Sequence, residues 1–246
     1  MELSWTYGYA MVVIFIASLV RGYSGFGFAM ISTLTLALVF PPAQVVPVIL
    51  ILDVVASFWL ISKVWQSVDW KSLALIISGA ILTLPLGSLA LTLTPIRPMR
   101  IFLSLTILLL CLGLLANRRP CRETPRPLTL VVGMVSGFLT GVAAIGGPPV
   151  ILFYFSSGRA VSVSRASMIV FFFLVDSLAV LSSLWYGLLN QQTLSLSLGL
   201  FIPLGLGIWS GNYLFNRLTN EASFRRQVLI LLATIACLSL LKALIN

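Results

Sequence analysis

Only six acidic residues occur in the 246-residue chain, and two of them, Asp53 and Asp176, sit inside apolar runs. Their surroundings read Val48-Ile49-Leu50-Ile51-Leu52-Asp53-Val54-Val55 and Phe171-Phe172-Phe173-Leu174-Val175-Asp176. A carboxyl at mid-span costs about 2.5–3.5 kcal/mol on insertion scales, so it is a functional candidate by default, here as a proton carrier. A hydrogen bond gluing one helix to the next is its other use. The remaining acids, Glu2, Asp69, Glu123 and Glu221, fall in loops or at the terminus and read as solvated charges.

Two arginines and two glycine clusters supply the complementary chemistry. Arg21 opens the first cluster, Arg21-Gly22-Tyr23-Ser24-Gly25-Phe26-Gly27-Phe28. A guanidinium there can grip an oxyanion through two N–H groups. The second cluster reads Thr140-Gly141-Val142-Ala143-Ala144-Ile145-Gly146-Gly147-Pro148-Pro149. Glycines allow close backbone approach, and a helix restarting after a break aims N–H groups and a positive dipole end at an anion. Pro148 and Pro149 mark such a restart, where missing N–H groups cost little. The expected anion-binding set is therefore Arg21, Gly22, Ser24, Gly25, Gly27, Thr140, Gly141, Gly146, Gly147, Pro148 and Arg165, with Ser24 and Thr140 as hydroxyl donors. Small-residue packing between helices is the alternative use of the glycines. Arg165 precedes Asp176 by three helical turns, roughly 16 Å, which forbids a direct salt bridge. It serves either as counter-charge near a site or as an anchor at the membrane surface.

The elements holding these groups are apolar helices. The chain is 59% hydrophobic and 9% charged, against roughly 25% charged in soluble domains. An all-α polytopic membrane protein follows. Its net charge of +9 comes from basic residues between apolar runs, where topology places them, so nucleic-acid binding is not implied. Three scattered cysteines and no histidine leave a disulfide framework, haem or zinc site unsupported, and no cofactor is expected. Met1-Glu2 lacks a basic leader region, so the first apolar stretch is expected to stay in the mature protein.

Ten apolar segments are expected, near 5–20, 26–40, 45–62, 72–93, 101–116, 128–144, 147–157, 166–187, 194–215 and 227–245. Those beside the glycine clusters are short against the roughly 20 residues of a full crossing, and 147–157 is too short to cross alone unless its helix continues past it. They form either crossings or broken, re-entrant hairpins, with irregular backbone lining protein or a polar cavity. The expected layout is a transmembrane repeat over 1–116, a cytoplasmic Pro/Arg-rich linker over 117–127 and a second repeat over 128–246. Gly27 aligns with Gly146, Asp53 with Asp176, and Leu84-Pro85-Leu86-Gly87 with Ile202-Pro203-Leu204-Gly205. Five segments per half invert the second repeat relative to the first. With the N- and C-termini outside, twelve of the fifteen basic residues lie inside, leaving Arg97, Arg100 and Lys242 outside.

Three stretches together resemble the TauE/SafE sulfite exporter family over essentially the whole chain. They are Arg21-Gly22-x-x-Gly25-Phe26-Gly27, Val68-Asp69-Trp70, and Leu139-Thr140-Gly141-x-x-x-Ile145-Gly146-Gly147-Pro148-Pro149. The resemblance implies a carrier of the bacterial inner membrane for sulfite, sulfonates or other small organosulfur or carboxylate anions. The first cluster departs from the family in having fewer glycines, which makes the two half-sites unequal. The expected function is secondary transport of a small oxyanion by alternating access, coupled to protons through Asp53 and Asp176, rather than enzymatic turnover. An anion channel and a carrier of small carboxylates are the alternatives. The expected partners are the anionic substrate and the lipid bilayer, with a second copy of the chain as a candidate.

Overall fold

The computed structural model describes residues 2–37, 39–95, 105 and 125–218. The expected segments 101–116 and 227–245, and the linker as far as residue 124, lie outside the described residues. So do Arg97, Arg100, Lys242 and the C-terminal end.

Nine α-helices are described: α1 Glu2–Ser24, α2 Phe28–Leu36, α3 Pro42–Val64, α4 Trp70–Leu93, α5 Arg126–Ala143, α6 Gly147–Ser156, α7 Val161–Trp185, α8 Gln191–Gly199 and α9 Phe201–Leu218. One 3-10 turn, Trp65–Ser67, follows α3. Five of these helices are long and apolar enough to cross a membrane, six if the α8–α9 pair, bent by 44°, forms one span. Start signals are local. Pro41 and Pro42 open α3, Pro125 and Pro127 open α5, and Pro148 and Pro149 occupy the first turn of α6. Proline suits these positions because the first N–H groups have no intrahelical partner anyway. Asn190 caps α8 by accepting from the Thr193 N–H at 2.8 Å. The apolar run at 194–215, expected as one segment, breaks between α8 and α9 at Leu200.

Three helix pairings organise the bundle: α4 on α5, α1 on α9, and α3 on α7. The first two are glycine seams. A methyl added at Gly133, Gly137 or Gly141 would collide with the backbone of Ile76, Ala80 or Leu84 in turn, and one at Gly79 or Gly87 with the backbone of α5. The contact positions climb together, so α4 and α5 run parallel. In the same way Gly207 and Gly211 press on α1 near Leu19 and Tyr23, while Gly22 presses on Ile208 and Asn212 of α9. Lipid offers no hydrophobic gain to helix pairing, so close backbone approach through small residues is what binds such seams.

The two interrupted pairs open toward opposite ends of the bundle. Residues at the start of α1 (Thr6, Tyr7) share a cavity with Phe40, Gln44 and Gln191, so α1–α2 opens at that end. At the other end, the α6–α7 turn meets the start of α4 through Arg159 and Asp69. The core between them is formed by α3 and α7.

Candidate functional site

The last turn of α1 carries Arg21 into the protein interior, where it has no solvent exposure. Four groups surround it. Its Nη2 lies 2.9 Å from Asp53 Oδ1 of α3 and donates to Ser57 Oγ at 2.6 Å. Its Nη1 donates to the Gly25 carbonyl at 2.9 Å. The ring of Phe172, on α7, covers its face at 4.4 Å. Asp53 and Ser57 are one turn apart on α3, so a single helix face holds one guanidinium nitrogen by charge and by hydroxyl.

Asp176 joins this cluster from α7. The α3–α7 packing brings its carboxyl within electrostatic reach of the Asp53 carboxyl and the Arg21 guanidinium. Asp53 and Asp176 are only 1% and 3% exposed. Neither oxygen of Asp53, nor Oδ2 of Asp176, nor Nε of Arg21 has a hydrogen-bond partner. The Asp53–Arg21 contact is thus an ion pair whose angles fall outside hydrogen-bond geometry. One cation faces two carboxyls, and buried acceptors of this kind are costly unless paired or protonated.

Arg165 lies on the opposite side of the first break. Its Nη2 donates to the Gly22 carbonyl at 2.7 Å and to Asn212 Oδ1 at 3.2 Å, and its guanidinium sits 4.0 Å over the Phe215 ring. Its stem packs against Gly25, and its Nε has no partner. Its counterparts are neutral groups rather than Asp176, in keeping with the three-turn spacing. The two arginines feel each other's charge across Gly25.

Each break turns on left-handed backbone, at different positions. Gly25 and Gly27 take left-handed φ values of 82° and 90°, conformations strained for any side chain. Gly27 caps α2 and Gly146 caps α6, and neither helix start receives a side-chain cap. After α5, Ala144 turns left-handed at φ 57°, and its N–H and that of Ile145 bond back to Thr140 and Leu139. The Ala144–Thr140 bond is that of an αL helix ending. Gly147 and the Phe172 ring are in contact distance, so Phe172 stands between the second break and Arg21.

The other expected site residues are placed as follows. Gly22 and Gly141 lie in the α1–α9 and α4–α5 seams. Ser24 Oγ donates to the carbonyls of Val20 and Phe26, both at 2.8 Å, and Thr140 Oγ1 donates to Ser136 O at 2.9 Å. Both hydroxyls are engaged with backbone at the breaks. Ser136 Oγ bonds the Gly146 carbonyl, pinning the second break to α5. Pro148 is buried in the first turn of α6.

Ser57, Ser136, Phe172 and Asn212 carry no charge and were not expected. For two of them a signal existed: Ser57 follows Asp53 by one turn, and Phe172 precedes Asp176 by one turn. Asp69 is a correction. It is no solvated charge but an ion pair with Arg159 at 2.6 Å, bonded to Ser72 Oγ at 2.7 Å and, through its N–H, to Ser167 Oγ at 3.0 Å. Ser72 in turn meets the Tyr154 hydroxyl at 3.2 Å.

Apolar spans around a buried charged centre, with two uncapped helix starts beside it, define a multi-pass α-helical membrane protein with a polar interior. The chain belongs to the sulfite exporter TauE/SafE family, a family of membrane transporters, whose model matches residues 10–239. No curated protein and no solved structure matches it.

Proposed function

We propose that this protein is a secondary transporter of the bacterial inner membrane that moves a small oxyanion, of the sulfite, sulfonate or small carboxylate class, by alternating access with a proton. The site is the space around Arg21, Gly25, Gly27, Gly146 and Gly147, with Arg165 adding positive charge behind the first break. The observation that carries this reading is a buried guanidinium paired with one buried carboxyl, with a second buried carboxyl in the same electrostatic field.

Charge balance explains the coupling. Arg21 and Arg165 bring two positive charges, and ionised Asp53 and Asp176 cancel them. One proton on either carboxyl leaves the centre with one net positive charge, which suits a monoanion. Substrate and proton then stabilise each other in the same low-dielectric interior. Loss of the proton leaves the occupied centre with one net negative charge and expels the anion, whose departure restores neutrality. Uncapped N–H groups at the starts of α2 and α6 add donors and favourable dipole ends.

Reconstituted protein with labelled sulfite, a sulfonate and a small carboxylate tests this. Wild-type uptake is expected to rise with an imposed pH gradient. In Asp53→Asn/Asp176→Asn that stimulation is expected to vanish while exchange of labelled for unlabelled anion persists. Wild-type stimulation in the double variant would remove the carboxyls from the coupling. Absence of flux for all three anions in the wild type would overturn the substrate class.

A further inference from the structure

We propose that Phe172 is the occluding side chain of the anion site, filling the place between Arg21 and the start of α6 until substrate displaces it. This rests on the anion-carrier reading above. Phe172 is 4% exposed, and its ring lies 4.4 Å over the Arg21 guanidinium. The π-face carries the negative part of the ring quadrupole, so it is a weak, neutral stand-in for an anion. At its edge the ring abuts Gly147, where an added methyl would sit 3.1 Å from Cζ. No oxyanion fits between the guanidinium and the α6 start while the ring is there.

The groups an anion needs are in place around that ring. Arg21 Nε is buried without a partner. Gly147 begins a ten-residue helix that has no side-chain cap, and the next two residues, Pro148 and Pro149, have no N–H to offer. The Gly147 N–H is therefore the donor that the second break can present directly across the ring. Withdrawing Phe172 joins it to Arg21 Nε around a common centre. Asp176 is one turn from Phe172 on the same face of α7, so a movement of α7 that retracts the ring also shifts Asp176 against Asp53. Substrate entry and carboxyl protonation are linked through one helix.

The test compares sulfite binding to purified wild type, Phe172→Ala, Phe172→Leu and Phe172→Trp, with proton-driven uptake in proteoliposomes alongside. Leu keeps an apolar side chain in place if Ala fails to fold. Both smaller side chains are expected to bind sulfite about thirtyfold more tightly, the size of a desolvated cation–π contact that no longer has to be broken. Their uptake is expected to lose its dependence on the pH gradient, and Trp is expected to bind more weakly than wild type. A merely structural role would not tighten binding. Unchanged or weaker binding in Phe172→Leu, beside a wild type that binds and transports sulfite, overturns the inference alone. A wild type that neither binds nor transports any oxyanion overturns the carrier reading and this inference with it.

Discussion

Removing the Arg21 guanidinium strands the Asp53 carboxyl in an apolar interior, because no other cation lies within salt-bridge distance of it among the described residues. Breaking a buried pair from one side costs about 3–5 kcal/mol, whereas replacing both partners by apolar groups is far milder. Arg21→Met is therefore expected to lower the melting temperature in detergent sharply, and Arg21→Met/Asp53→Leu is expected to recover most of the loss. If the double variant showed the sum of two independent losses, the pair would not be acting as a unit. At this scale the sequence was informative about charge and silent about partners. Arg21, Asp53 and Asp176 stand out because ionisable groups are rare in apolar runs. Their meeting depends on how three helices pack, which spacing along the chain does not encode. Ser57 and Phe172 have no charge to single them out, and only their one-turn spacing from Asp53 and Asp176 marks them.

Glycine does two jobs in this fold, and the helices show which is which. At the breaks, Gly25 and Gly27 supply left-handed backbone. In the seams, Gly133-x3-Gly137-x3-Gly141 lets α5 lie directly on α4. The sequence marks both uses with the same residue, so Gly22 and Gly141 fell into the expected anion-binding set although they pack in seams. The consequence is testable in α5. Gly137→Leu must push α4 away, since even a methyl there meets Ala80 backbone. Overpacking costs about 1–3 kcal/mol in a well-packed core, and more where backbone is the obstacle. Loss of the monodisperse peak on size-exclusion chromatography is the expected outcome. Gly199→Ala, with nothing within 4 Å, is expected to leave the profile unchanged. Equal behaviour of the two variants would remove the seam from the account of stability. The pairings also exchange partners evenly: the first helix of each half packs along the last described helix of the other, and the two third helices, α3 and α7, pack together.

The whole molecule has two unlike ends. One bears Trp65 and Trp70, in contact at 4.7 Å, together with Lys71, Arg126 and the Asp69–Arg159 pair. The other bears exposed Trp5 and Trp185 and a cavity of about 490 Å³ lined by uncharged groups, among them Tyr7, Phe40, Gln44, Gln191 and Gln192. Tryptophan at both ends matches the two interfaces of a bilayer, and the basic end is expected to face the cytoplasm. The ion pair there ties the start of α4 to the α6–α7 turn, while the opposite end holds open space above the break in α1–α2. With the basic end inside, the proposed carrier is expected to be approached from the periplasm in this arrangement. With Cys111, Cys121 and Cys237 replaced, a cysteine at Gln192 is expected to react with a membrane-impermeant maleimide in intact cells. One at Lys71, itself exposed, is expected to react only after the membrane is permeabilised. The reverse pattern would invert the molecule in the membrane and turn its open end toward the cytoplasm. The Arg21–Asp53–Asp176 centre would then take its proton from the other side.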